Sequence, residues 1–363
     1  MTEQECLMVL NAVPLLGAGR IRKLLAFYGS AARILRTAPD ELRECGLLRP
    51  GTVENIYNFS KDKFLRGEYN LMRQKGIRAV TCADDDFPCS GDFEDSPVVL
   101  YVKGSADGLN KKSVALVGSR AASFYGCHSA RLFARAFTRA GLAIVSGLAR
   151  GIDTSAHQGC LDAGGRTIAV IGCGFNYVYP KENRHLMEKI CQNGAVVTEF
   201  AFDMPPLKQN FPWRNRIISA LSLATVVIEA GKKSGALITA DYALAQNKDV
   251  FVLPSNIDSE TAVGSNRLIQ DGARVALNPD DVLSQVMEGY LPSPCGGTAT
   301  PLLLSDEQSN VYACITTLPV HMDELVKKSG LKVSSLLNVT LSLELKHAIR
   351  QLPGQYYVRN AHA

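Results

Sequence analysis

Apolar residues gather along this chain in short unbroken runs that end in glycine or a polar turn. The clearest is Ser113 to Arg120, SVALVGSR, where an apolar run is closed by Gly118 and followed by Ser119 and Arg120. Continuous apolarity of that length predicts a parallel strand covered on both faces, and the glycine a tight turn into a helix. Ser119 is placed to cap that helix, with Arg120 at its start, where free backbone N–H groups favour an anion. The pattern recurs at LAIVSGLARG, TIAVIGCGFNY, AVVTEF, ATVVIEAGKKSG and VFVLPSN, with helical periodicity between the runs. Alternation of this kind predicts an α/β fold with a Rossmann-like, doubly wound parallel sheet. The turns that follow its strands emerge on one edge, so polar residues scattered over the sequence meet in one crevice.

The flanks have a different character. Thr2 and Glu5 form a capping box that opens a first helix, and VPLLGAGRIRKLLAFYG places Gly17 and Gly19 in a tight turn before an apolar-periodic helix carrying Arg20, Arg22 and Lys23. This stretch resembles a SAM or helix-hairpin-helix element, which in some proteins offers backbone N–H groups to a DNA phosphate; an ordinary helical hairpin has the same pattern. Residues 1–76 are expected to be helical and 77–290 to form the extended Rossmann-like domain. The early β-rich pieces IRAVTC and PVVLYVKG flank an acidic loop, Asp84 to Asp86 and Asp92 to Asp95, whose spacing is wrong for metal ligation and is read as solvated. PVVLYVKG is expected to add a strand at the sheet edge. Residues 291–301, rich in Pro, Gly and Thr, read as a linker. Residues 302–363 carry three helical patterns and a hairpin, resembling a winged helix. Its recognition helix, with Ser334, Ser335 and Asn338 but few bases, suits protein contact or a structural role at least as well as phosphate binding.

Composition narrows the function classes. In 363 residues, 39 basic side chains stand against 35 acidic ones, so any polyanion site must come from local clustering and not from bulk charge. The ten cysteines form no C-x-x-C pair and read as reduced thiols of a cytoplasmic protein, with Cys160 and Cys173 in the core. No leader pattern opens the sequence, and no apolar run is long enough to span a bilayer.

The crevice edge should carry the chemistry. GSR lacks the second glycine of a dinucleotide fingerprint and the lysine of a phosphate-binding Walker loop. SGLARGIDTSAH brings Ser146, Gly147, Arg150 and Asp153, the last placed to cap a helix, with His157 one turn on. An acid and a histidine near a serine invite a hydrolase reading, but the nucleophile elbow G-x-S-x-G is missing. In GCGFNYVYPKEN, the aromatics Phe175, Tyr177 and Tyr179 precede Lys181, an arrangement that fits a base stacked on a ring with its phosphate near an ammonium. Core packing of these rings is the alternative. FPWRNRIISALS holds Trp213, Arg214, Asn215 and Arg216. Guanidiniums at i and i+2 point to different sides of a helix, so one should face the crevice while the other packs elsewhere. EAGKKSGALITA places Gly231, Ser234 and Gly235 before a helix starting near Ala236, an anion nest at a helix N-terminus; Lys232 and Lys233 read as solvated. Asn266, in GSNRLI, opens the next helix on the same edge.

Taken in order, GSRAAS, SGLARGIDTSAH, YPKEN, FPWRNRIISALS, EAGKKSGALITA and VGSNRLIQDGA resemble the DNA-processing protein A (DprA, also called Smf) family, whose pattern covers nearly the whole α/β region. The resemblance implies a non-enzymatic cytoplasmic protein that binds single-stranded DNA without sequence preference. It further implies that the protein shields this DNA, loads the RecA recombinase in natural transformation and DNA recombination, and acts as a homodimer with no cofactor or metal. By the family pattern, Arg120 and Lys181 are the principal phosphate ligands, with Gly118, Ser119, Ser146, Gly147, Asn215, Ser234, Gly235 and Asn266 shaping the pocket. A rival reading is a nucleotide-processing phosphoribohydrolase on a similar sheet. That chemistry needs a carboxylate after the glycines of a Gly-Gly-x-Gly-Thr-x-x-Glu segment, whereas here GKKSGALITA supplies none and Glu229 stands before it.

Overall fold

The computed structural model describes the chain except for residues 86, 90–92, 106–108, 292–303, 317–318, 347 and 360–363. Most of the predicted linker, and Asp86 and Asp92 of the acidic loop, lie outside the described residues. Two compact units are present, Met1–Glu288 and Gly289–Ala363.

The first unit opens with six helices: α1 (Glu3–Ala12), α2 (Ala18–Tyr28), α3 (Ala31–Arg36), α4 (Pro39–Glu44), α5 (Pro50–Asn58) and α6 (Lys61–Lys75). The capping box at α1 forms as expected, Thr2 Oγ1 accepting from Glu5 N and Glu5 Oε2 accepting from Thr2 N. The glycine turn before α2 offers no free basic face. Arg20 donates to Leu15 O, Arg22 donates to Ser96 and Pro97, and Lys23 pairs with Glu94. A Cβ on Gly19 would come 3.3 Å from Glu94 O and 3.5 Å from Asp95 Cγ, so the acidic loop itself packs against the start of α2. Of the described acids, Glu94 and Asp84 are fastened to the protein and not merely solvated, Asp84 accepting from Thr81 N at 2.7 Å.

Next come β1 (Ile77–Thr81), β2 (Val99–Gly104), β3 (Ser113–Val117), α7 (Phe124–Arg139), β4 (Ala143–Ser146), α8 (Ile152–Asp162), β5 (Thr167–Val170), α9 (Arg184–Asn193) and β6 (Ala195–Thr198). The unit closes with α10 (Asn210–Ala220), β7 (Ala224–Val227), α11 (Gly235–Ala245), β8 (Asp249–Val252), α12 (Val263–Gln270), β9 (Arg274–Val275) and α13 (Pro279–Val286). The sheet has nine strands in the order β1-β2-β6-β5-β4-β3-β7-β8-β9. From β6 to β9 all neighbours are parallel, and β2 joins β6 antiparallel with β1 outside it. The unbroken apolar runs become fully buried strands, β3 to β7, as two covered faces require. One face packs with the N-terminal helices in a single cluster that joins Leu7, Leu10 and Ile21 to Tyr101, Val196 and Phe202. The other face is closed largely by α10 and α11, through Ile217, Ile218, Ala236 and Ala240.

Strand order reverses between β3 and β7, since the chain builds β4, β5 and β6 to one side of β3 and then crosses to start β7 on the other. At such a switch point the two following loops part and leave a crevice at the C-terminal ends of the strands.

The second unit contains α14 (Asp306–Cys314), β10 (Val320–His321), α15 (Met322–Ser329), α16 (Val333–Leu345), β11 (Ile349–Leu352) and β12 (Tyr356–Arg359), with the three strands in one antiparallel sheet. This is a winged helix with its own core around Val311, Leu325, Leu336, Leu343 and Tyr357. Gly330, at φ 70°, ends α15 and makes the turn into α16. Among the described residues no helix is long and apolar enough to cross a membrane.

Candidate functional site

A cleft of about 810 Å³ opens at the β3/β7 switch point. Its walls come from the turn after β3 (Gly118, Ser119, Arg120), from the start of α10 (Phe211, Arg214, Asn215) and from the turn into α11 (Gly231 to Ala236). Among the described residues, Arg120, Lys208, Arg214, Lys232 and Lys233 line it against one carboxylate, that of Asp153. Lys232 and Lys233 therefore belong to the site and not to a solvated loop alone. The N-terminus of α11 faces this space. Ser234 caps it, its Oγ accepting from Ala236 N at 3.3 Å, and the remaining first-turn amides favour negative charge.

The turn after β3 differs from the sequence expectation. Ser119 does not cap α7; its Oγ accepts from Ala121 N at 3.2 Å within the turn. The cap is Ser123, whose Oγ accepts from Gly126 N at 3.0 Å. Ser123 in turn donates to the buried carboxylate of Glu229, from its N at 3.1 Å and its Oγ at 2.7 Å. An internal anion thus occupies the N-terminus of α7, and Arg120 is left on the cleft wall. Its guanidinium lies over the ring of Phe211, 5.3 Å from the centroid, and Phe211 packs on Tyr179 at 5.1 Å. The face of an aromatic ring attracts a cation and restricts its orientation. Gly172 gives Phe211 its seat, since a Cβ there would come within 2.9 Å of the ring.

Residues 78–287 match the family described as DNA recombination-mediator protein A, and residues 298–355 match the DprA winged helix domain. The chain belongs to the DNA recombination-mediator protein A family. Among curated relatives, it is 38% identical over 272 residues to Protein Smf of Escherichia coli, a match covering 72% of each chain. It is 42% identical over 203 residues to DNA processing protein DprA of Streptococcus pneumoniae, covering 56% of this chain and 72% of that one. The solved DprA structure from Streptococcus pneumoniae superposes with a TM-score of 0.68 at 34% identity, covering 78% of this chain and 98% of that one. A second solved relative superposes with a TM-score of 0.53 at 29% identity over 59% of this chain and 97% of its own. It is DNA processing protein A from Helicobacter pylori, described by its single-stranded DNA binding mode.

In this recombination-mediator protein the cleft gathers Gly118, Ser119, Arg120, Asn215, Ser234, Gly235 and Tyr179 of the expected site residues. Others have different work. Ser146 is fully buried and donates to Leu116 O at 2.6 Å, joining β4 to β3; it also stands beside the cleft-lining carboxyl of Asp153 and is not itself part of the cleft lining. Gly147 is covered by Arg214; a Cβ there would lie 2.7 Å from Arg214 Cζ and Nη2. Asn266 braces the loop after β8, accepting from Ser255 N at 3.2 Å and donating to Ser255 O at 3.0 Å, outside the cleft lining. Phe175 is buried in the core against Phe202, with centroids 6.1 Å apart, which corrects its reading as a base platform: its ring is covered. Tyr177 and Tyr179 keep exposed rings. Lys181 is exposed in a single 3-10 turn over Lys181–Asn183, two residues beyond Tyr179.

Two acids and a histidine that suggested catalysis are held by structure. Asp153 does not cap α8, whose N-cap is Gly151; its carboxylate accepts from Ala149 N at 3.2 Å. Burial raises the Asp153 carboxyl, opposed first by the charge of Arg214. His157 is buried, with Nδ1 at 2.6 Å from Thr167 Oγ1, and burial lowers it to about 3, so it is neutral at physiological pH. Glu229 faces Ser123 and lies outside the cleft lining. Of the paired arginines, Arg214 lines the cleft, while Arg216 is fully buried, donates to Glu199 and lies over the ring of Trp213 at 4.4 Å. Sequence reasoning left open which of the two would face the crevice, and it did not single out Lys208 or Phe211.

Proposed function

We propose that this protein binds single-stranded DNA without sequence preference in the β3/β7 cleft, shields it, and hands it to the RecA recombinase in natural transformation and DNA recombination. The observation that carries the binding step is the convergence of Arg120, Lys208, Arg214, Lys232 and Lys233 with the N-terminus of α11 on one cleft lined also by the half-buried ring of Phe211 and the exposed ring of Tyr179. Cations along a groove with π-faces at its rim suit a flexible polyanion, whose phosphates settle on charge while its bases stack. Membership of the DNA recombination-mediator family, and a Helicobacter pylori relative described by single-stranded DNA binding, support the same ligand. In this reading Arg120 and Lys181 take phosphates, Gly118, Ser119, Asn215, Ser234 and Gly235 shape the phosphate pocket, and Tyr177 and Tyr179 receive bases. Function is positional, with no bond made or broken, in keeping with the engagement of Glu229 by Ser123. Delivery to RecA, a homodimer joined through the α/β unit and a cytoplasmic location rest on the family resemblance.

Fluorescence anisotropy of a labelled oligothymidylate and the matching duplex, over a salt series, tests this. The single strand should bind more tightly and weaken steeply with salt. Arg120→Ala should lose on the order of 1.5 to 3 kcal/mol, one charge-assisted contact, and flatten the salt slope by about one phosphate. Equal affinity for duplex and single strand, or an Arg120→Ala protein that binds as wild type, refutes the assignment.

A further inference from the structure

The cleft has a buried floor as well as an exposed rim. Of its lining residues, Val117, Arg214, Ile218 and Thr239 are each less than 5% exposed, whereas Arg120, Lys232 and Lys233 are exposed. Arg214 is the unusual member of the floor. Its Nη1 donates to Val170 O, while its Nε is buried with no hydrogen-bond partner. Gly147 leaves the space the guanidinium needs. Burial lowers Arg214 to about 10, so it remains a cation at neutral pH. The charge of Asp153 favours the Arg214 cation, but the guanidinium's hydrogen-bonding capacity is left partly unused, which is costly in a buried group.

A strand that merely passes over the cleft puts its phosphates on the rim. Each internal phosphodiester is linked to nucleosides on both sides and cannot enter a closed floor without both neighbours following. A phosphate carried at the tip of a molecule has one attachment and can descend. It also brings close to two negative charges at neutral pH, against one for a diester, which suits five cations facing one carboxylate. We propose that the floor of the cleft, with Arg214 as buried counter-ion and the N-terminus of α11 opposite, is a site for a terminal phosphomonoester. The group is carried either by the end of a single strand or by a free mononucleotide. The inference rests on the cleft being the single-strand site and assigns part of it to an end group.

The test compares wild-type protein with three decathymidylates, bearing a 5′-phosphate, a 3′-phosphate or hydroxyls at both ends, each labelled on an internal base. Thermal stabilisation by dTMP against thymidine is measured in parallel. A strand end as the ligand predicts that one phosphorylated decamer binds at least about tenfold more tightly than the hydroxyl form, and that Arg214→Gln removes this preference. Should that variant not fold, the wild-type comparison stands without it. A mononucleotide as the ligand predicts stabilisation by dTMP and not by thymidine, with the three decamers equal. Equal decamers and no response to dTMP overturn the inference and leave single-strand binding intact. Failure of every decamer to bind overturns the reading on which it rests.

Discussion

The carboxylate of Glu229 accepts from both the backbone N and the Oγ of Ser123, and Ser123 Oγ accepts from Gly126 N. This chain of bonds selects the helix start. GSRAAS offers two serines as caps, and Glu229, 106 residues away from Ser123, engages the later one. The consequence is functional as well as structural: α7 begins beyond Arg120, whose guanidinium stays on Phe211 at the cleft wall. Ser123→Ala removes a cap and should cost about 1 kcal/mol. Glu229→Ala leaves Ser123 N without its acceptor and should cost on the order of 1 to 3 kcal/mol. Because both act through one network, the double variant should lose measurably less than the two singles together. Urea denaturation of the four proteins checks this, and strict additivity would show that the two residues stabilise the protein independently.

At the scale of elements, α6 is joined to the sheet by a buried acid. Glu68 Oε1 accepts from Phe202 N at 3.2 Å, and the Tyr101 hydroxyl and Asp203 stand beside the carboxyl, the first favouring and the second opposing its charge. Burial pushes Glu68 from its ordinary 4.5 up to about 7, so between those values the folded protein holds a proton that the unfolded chain releases. Stability contributed by this group is complete below about pH 4.5 and falls as pH rises to about 7. The fall is on the order of 3 kcal/mol. Glu68→Gln should flatten the stability profile between pH 5 and 7, read from denaturant midpoints at fixed ionic strength; an unchanged slope would place the proton elsewhere. The same element scale shows what sequence pattern carries. Strands β3 to β8 were legible because two-sided burial writes itself as uninterrupted apolar runs, and α11 because Ser234 and Gly235 mark its start. Phe175 was misread because Phe202, which covers it, lies 27 residues away along the chain, and the bond from Ser146 to Leu116 O was illegible because it spans 30 residues. The floor of the cleft was only partly legible: Arg214 and Arg216 share a helix and a charge, and which one lines the cleft depends on Glu199 and Trp213 holding the other.

For the whole molecule, the two compact units differ in what they offer the proposed single strand. The first holds the cationic cleft. In the second, α16 occupies the place of a recognition helix, yet it carries Val333, Leu337, Leu341 and Leu345 exposed at intervals of four residues. Residues spaced by four share one face of a helix, so this face is apolar, and Lys332 and Lys346 stand just beyond the two ends of α16. A helix that reads DNA from the major groove needs side chains that reach phosphates and base edges, and an apolar stripe supplies neither. Each unit has its own hydrophobic core, so a chain ending at Glu288 should fold. It should retain most of the affinity of the full chain for oligothymidylate, within about threefold, and its salt slope should be unchanged, because on the proposed function the phosphates neutralised are those at the cleft. A loss of binding of a hundredfold or more in the truncated protein, with its circular dichroism and melting still cooperative, would transfer the principal nucleic-acid contact to the winged helix. Binding kept by the truncation but abolished by Arg120→Ala within it would confine that contact to the switch point of the sheet.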